Sequence, residues 1–157
     1  MFTVITHRLR AAALGACGLL ALPGLAQADA RLDAGRALWS KAALQSYEYG
    51  YRKFCECHPE TPPETVVSVR AGTVVGVRHR PVNSTVEVPA AEKNLEFYWT
   101  MDGLFALIAS ALERGVQVRV AYDATLGFPR ELYIDYDVNF IGDELDLKLT
   151  AVTPLNP

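Results

Sequence analysis

Residues 116–137, VQVRVAYDATLGFPRELYIDYD, contain two runs in which apolar and polar residues alternate. In the first run, Val118 and Val120 would point to one face of a strand and Arg119 to the other. The second run repeats the pattern, and Gly127 lies in the loop between the two runs. Such alternation predicts antiparallel strands that bury one face and expose the other to water.

The same alternation occurs elsewhere in the chain. A tight turn at Ala71-Gly72 is predicted to join two strands, with Val75 and Val77 on a common face. Residues 81–98 show no clear period and are predicted to form a loop. The further strands are predicted in SYEYGYRK (46–53), in TVVSVRAGTVVGVRHR (65–80, one on each side of the turn) and in ELDLKLT (144–150).

Two segments have helical periodicity. Residues 30–45 place four apolar side chains near one face, and residues 100–115 have Thr100 as an N-cap and Gly115 as a C-terminal stop. On the first helix those side chains are Leu32, Leu38, Trp39 and Ala42. The order α-β-β-β-α-β-β-β therefore predicts a single α+β domain, with a mainly antiparallel sheet and the helices on one of its faces.

The N-terminus has the features of a cleaved leader. Arg8 and Arg10 precede an apolar run that is too short and too broken to span a bilayer, and AQA ends at Ala28. We expect residues 1–28 to be a signal peptide and residues 29–157 to be the exported domain, periplasmic or secreted. The alternative is a lipoprotein anchored through Cys17, because LGAC resembles a loose lipobox.

The net charge of the mature chain indicates which kinds of partner the protein is not expected to bind. Removing the two leader arginines leaves 13 basic against 18 acidic residues, a net charge of −5. A negative chain without a concentrated basic face is not expected to bind nucleic acid or anionic lipid. No further segment predicts a transmembrane anchor after cleavage.

Several pieces of the chain occur together in one known family. A helix with a Trp, then YEYGYRKFCEC, a V-x-V-R-x-G-x-V hairpin, MDGLFALI, VAYDATLGFPRELYIDYD and GDELDL resemble the secreted bacterial domain-of-unknown-function family 6174. The resemblance covers roughly residues 39–149. It implies a small exported domain, and it carries no catalytic residue over to this chain.

The cysteine pair in KFCECHPE (53–60) has several interpretations. A single residue between Cys55 and Cys57 does not fit a c-type haem site or a redox CxxC motif. A zinc site would need His58 and the distant His79 as further ligands. In an oxidising compartment, a Cys55–Cys57 disulfide that fixes local shape is favoured over free or intermolecular thiols.

The acidic run DYDVNFIGDELD is the candidate metal site. Its oxygen-bearing side chains have EF-hand-like spacing, but Phe140 occupies the position where an EF-hand needs Gly, and the flanks predict strands. A looser Ca²⁺ or other metal site in the 135–146 turn remains an alternative to simple pairing of the acids with Arg119 or Lys148 across the strands. The candidate ligands are Asp135, Asp137, Asn139 and Asp146.

The sequence provides few parts for catalysis. No nucleophile motif is present, and Glu48 and Asp135 would form an acid/base pair only if their strands were neighbours. The domain is therefore expected not to be an enzyme and to need no cofactor, with an enzyme of unknown class as the less favoured alternative. We expect a module that binds an envelope or extracellular protein, or a peptide at a sheet edge, with Phe128, Trp99 and Tyr133 as candidate surface aromatics.

Overall fold

The computed structural model describes residues 23–54 and 63–156. Within these residues, two α-helices and seven strands form the fold, and all strand pairings are antiparallel. In chain order the elements are α1 (Pro23–Ala42), β1 (Tyr47–Phe54), β2 (Glu64–Arg70), β3 (Thr73–Arg80), β4 (Val88–Pro89), a 3-10 helix (Glu92–Phe97), α2 (Met101–Glu113), β5 (Gln117–Tyr122), β6 (Pro129–Asp135) and β7 (Leu145–Pro154). The predicted α+β class and order are confirmed.

The strands form one sheet in the order β4-β3-β2-β1-β7-β6-β5. The C-terminal strand β7 pairs with β1 and so joins the two halves of the chain. This arrangement leaves β5 and the two-residue β4 as the outermost strands of the described sheet. Strand β5, one of the alternating runs in residues 116–137, is therefore an edge strand.

The core lies between one face of the sheet and the two helices. Tyr47, Tyr49 and Tyr51 line the inner face of β1 and are all buried. The Tyr47 hydroxyl accepts a hydrogen bond from the Met101 N–H (2.8 Å), and the Tyr49 hydroxyl donates one to the Trp99 carbonyl (2.5 Å). The tyrosine stripe thus packs in the core and fixes the entry into α2.

Helix α2 begins as the sequence predicts. The Thr100 hydroxyl accepts a hydrogen bond from the Gly103 N–H (3.0 Å), which satisfies one donor of the first turn. The helix ends at Glu113, and Gly115 follows with a positive φ of 69°. Its buried face consists of Met101, Leu104, Phe105, Ile108 and Ala111.

Helix α1 lies closer to the β5–β6 connection than the pattern of its apolar residues predicts. It buries Leu32 and Trp39, whereas Leu38, which was expected on the same face, is 37% exposed. Leu38 lies beside Gly127 at the border of the buried face, while Gly35 makes the closest contact with the β5–β6 connection. A Cβ at Gly35 would lie 2.9 Å from the Gly127 carbonyl oxygen and 2.8 Å from the Tyr122 ring. The absence of a side chain allows α1 to lie against the β5–β6 connection.

The turn between β2 and β3 forms at the predicted residues, but the pairing of the two strands contains a register shift. Ala71 and Gly72 both have positive φ, as a tight turn of this kind requires. An irregularity after Ser68 pairs Val69 with Val74 and leaves Val75 48% exposed. The expected common face of Val75 and Val77 is therefore wrong, since one extra residue reverses the side-chain direction.

The loop predicted at residues 81–98 contains two short elements, β4 and the 3-10 helix. In the described part of the chain, no helix combines the length and apolar character needed to cross a membrane.

Candidate functional site

The outer face of the sheet carries a connected set of ion pairs on β1, β2 and β3. Arg78 contacts Glu48 at 3.0 Å and Glu87 at 2.6 Å, while Arg80 contacts Glu64 at 2.8 Å and also bonds Glu87. The Ser68 hydroxyl donates a hydrogen bond to the Glu48 carboxylate, and the Thr150 hydroxyl donates one to the Glu64 carboxylate. Each charge in this set has a partner inside the set.

The pKa directions agree with a structural role for this network. The hydrogen bond from Arg78, with that from Ser68, holds the pKa of Glu48 below its usual value despite partial burial. Arg80 and then Arg78 do the same for Glu87. A general acid at neutral pH needs the opposite shift, so these carboxylates suit pairing better than proton transfer.

The acids predicted near 135–146 are distributed over two strands and a loop. Asp135 lies opposite Gln117, and Asp137 follows the end of β6, so the expected placement of these two acids opposite Arg119 or Lys148 is wrong. The Asp137 carboxylate accepts hydrogen bonds from the backbone N–H (3.0 Å) and side-chain amide (3.1 Å) of Asn139, which lower its pKa.

These positions do not form a ligand cluster. Within residues 23–54 and 63–156, no three His, Cys, Asp or Glu side chains are placed to hold one metal ion. Calcium binding by Asp135, Asp137, Asn139 and Asp146 stays a prediction, which a melting curve with and without Ca²⁺ tests. Glu48 and Asp135 are not a pair either, because β7 separates β1 from β6.

The three candidate surface aromatics have different environments. Phe128 is only 6% exposed and belongs to the core, so its expected exposure is wrong. Trp99 is half-buried against the same core. Tyr133 lies on the outer face, with the Arg119 guanidinium 4.1 Å from its ring centroid. Cys55 and Cys57, with their predicted disulfide, lie outside the described residues, as does His58.

The open edge of the sheet provides a different kind of site. Arg31 of α1 donates a hydrogen bond from Nη2 to the Val120 carbonyl at 3.1 Å. That carbonyl therefore faces away from β6. In an antiparallel strand, alternate residues direct their backbone groups to the same side, so the N–H and C=O of Val118 also face the open edge. Beyond Val120, α1 covers the strand through the contact of Gly35 with Tyr122.

A groove of about 210 Å³ lies beside this edge, between α1, α2 and β5. Its floor is mostly apolar, and Arg31 provides a cation at one end. The volume is below the range of about 300–1,000 Å³ that holds small-molecule ligands, and it suits one or two side chains. We call it the edge groove, lined by Ala28, Arg31, Ile108, Leu112, Val118, Val120 and Tyr122, with Arg119 at its outer side.

Two other surfaces have fewer of the features that a binding site needs. A depression of about 330 Å³ on the outer face around Tyr133 is flanked by Arg119, Glu131, Asp146 and Lys148, which face each other or Tyr133 across the strands. The β6–β7 loop exposes Val138, Phe140 and Ile141. That loop offers apolar area, but the described contacts show no free backbone edge or cation beside it that would orient a partner.

Comparison with known proteins gives one match. A family model described as a family of unknown function (DUF6174) matches residues 31–154. The chain belongs to this family. No curated protein and no solved structure matches it. The resemblance seen in the sequence is thus confirmed for the family itself, whose description assigns no activity.

The matched range covers the fold and most of the edge groove. It begins at Arg31, so it includes the guanidinium at the open edge. Sequence reasoning did not identify Arg31 or Val118 as site residues. The alternation of residues 117–122 identifies a strand, but only the sheet order shows that this strand has a free side.

Proposed function

We propose that this protein is a non-catalytic module that binds an extended peptide segment by adding it as a strand to β5. The observation that carries the proposal is the free backbone edge at Val118 directly beside the apolar edge groove. Backbone hydrogen bonds would supply affinity, and alternate side chains in the groove would supply specificity.

The edge of β5 has features of a strand that is left open for pairing with another strand. Exposed edges are a liability that proteins usually shield with charge, Pro or a covering helix. In the part of the chain that the structure describes, α1 shields the end near Val120 and Tyr122. Strand β5 carries no Pro, and its one charged residue, Arg119, lies over the Tyr133 ring. Val118 remains half-buried, with an apolar side chain at the groove.

We further propose that the module is exported, periplasmic or secreted, by cleavage after Ala28. Ala28 lies within α1 and lines the edge groove, so cleavage would remove this lining residue and place the new N-terminus, Asp29, at the rim of the groove. Intact mass of the protein from its native compartment tests this, since export predicts a chain that starts at Asp29.

The binding proposal is tested with a library of random heptapeptides against the purified exported domain. We expect selected peptides to carry apolar residues at every second position, because only alternate side chains of an added strand enter the groove. The variant Val118→Pro removes the edge N–H and should abolish peptide binding. It should still fold, because an outward N–H on an edge strand can be lost without breaking the β5–β6 ladder.

Val118→Ala is the matched control because it also removes the valine side chain but keeps the N–H. It should weaken binding only a few-fold. Circular dichroism establishes that both variants fold. Equal binding by folded Val118→Pro and Val118→Ala would contradict strand addition, and a library with no binder would contradict the peptide-binding function.

A further inference from the structure

The edge groove has a closed end, and the residue that closes it is a cation. Arg31 occupies the outward carbonyl of Val120, at the point where an added strand would need its next backbone partner. Beyond that point Gly35 and Tyr122 bring α1 onto the strand. An added peptide must therefore end, or leave the sheet, at Arg31.

Two arginines lie near this end of the groove. The side chains of Arg31 and Arg36 both act on the Tyr122 hydroxyl, where they lower its pKa against the larger effect of burial, which raises it to about 12. Among the described residues, neither arginine takes part in an ion pair with a carboxylate. Each instead donates to a backbone carbonyl, Arg31 to Val120 and Arg36 to Phe105.

We propose that the edge groove binds the C-terminus of a peptide and that Arg31 receives its terminal carboxylate. This inference rests on the proposed peptide-binding function and names its ligand class. A carboxylate accepts two parallel hydrogen bonds from a guanidinium, which is stronger than the neutral carbonyl contact that Arg31 now makes.

The proposal also fixes the direction of the peptide. Strand β5 runs from Gln117 towards Tyr122, and Arg31 lies near its far end at Val120. A carboxyl terminus at Arg31 requires the peptide to run parallel to β5. The opposite direction would bring an α-ammonium group to the guanidinium, which is unfavourable.

The test compares one peptide in two forms, with a free C-terminal carboxylate and with a C-terminal amide. The peptide is the best binder from a library displayed with free C-termini. We expect the amide to bind the wild-type domain at least about tenfold more weakly, as loss of a charge-assisted hydrogen bond implies. A nitroxide at the peptide N-terminus should broaden the Gln117 amide signal more than that of Tyr122.

The variant Arg31→Gln should lose the preference and bind acid and amide forms alike. Arg70→Gln is the matched control, because Arg70 is also exposed and donates to a backbone carbonyl, that of Asn156, but lies away from the groove. It should keep the tenfold preference.

The outcomes separate the two proposals. If acid and amide bind wild type equally but Val118→Pro abolishes binding, the edge function stands and the carboxylate inference is wrong. If Arg70→Gln loses the preference as fully as Arg31→Gln, the effect is one of net charge, and the assignment to Arg31 is also wrong. If no peptide binds in either form, both proposals fail.

Discussion

The three tyrosines of β1, Tyr47, Tyr49 and Tyr51, have a structural function. Their rings pack in the core, with Trp39 edge-on to Tyr47 at a centroid distance of 5.1 Å. Their hydroxyls hold the backbone at Trp99 and Met101. They thereby position α2, which supplies Ile108 and Leu112 to the edge groove.

The burial of these phenols predicts an unusual titration. Burial raises the pKa of Tyr47, Tyr51 and Tyr122 to about 12 and that of Tyr49 well above 10. In the folded protein we therefore expect at least four of the seven tyrosines to ionise well above pH 10. Phenolate absorbance against pH measures this number.

The raised pKa values of these tyrosines also predict how the free energy of unfolding depends on pH. Because the folded pKa values lie above the unfolded value of about 10, the stabilisation is complete below pH 10. It is lost as pH rises from 10 towards 12, where the unfolded chain ionises and the folded chain does not. The urea midpoint should be flat from neutral pH to pH 9 and fall above pH 10. Ionisation of all seven tyrosines near pH 10 in a protein that remains folded would contradict this burial.

At the scale of elements, the contact between α1 and the β5–β6 connection decides the shape of the groove. Gly127 has a positive φ of 77°, and a Cβ there would lie 2.7 Å from the Leu38 Cβ and also meet the Gly35 carbonyl. Gly115 has a similar φ of 69° but faces open space. The two glycines share a backbone conformation and differ in packing.

This pair gives a controlled prediction. Gly115→Ala should cost about 1–2 kcal/mol of unfolding free energy, which is the cost of the left-handed conformation alone. Gly127→Ala should cost roughly 1–3 kcal/mol more, because α1 must also move away. Urea unfolding of the two variants measures the difference. Equal destabilisation would show that α1 does not lie against the connection, and the groove geometry would then be wrong.

For the whole molecule, the sequence predicted the local structure well and the arrangement less well. The α+β order, the Thr100 cap and the turn at Ala71-Gly72 follow from residue type and period, which act over a few residues. The close contact at Gly35 and the error at Val75, which a bulge causes, are local features that periodicity cannot show.

The candidate site required information of longer range. Placing β5 at the edge depends on β7 pairing with β1, about 100 residues away in the chain. Neither strand pattern specifies that pairing, because all the alternating strands present similar apolar faces. The Arg31–Val120 contact likewise joins residues 89 positions apart. Phe128 was expected at the surface because it lies in a hairpin loop, yet α1 covers that loop.

The proposed function requires that β5 receives an extended peptide on its open edge. The most direct measurement is hydrogen exchange of backbone amides, with and without the best free-acid peptide from the library. We expect the Val118 N–H, which has no strand partner across the edge within residues 23–54 and 63–156, to gain protection of at least about tenfold, while Arg119, already facing β6, changes little. Unchanged exchange at Val118 under saturating peptide would contradict strand addition at this edge.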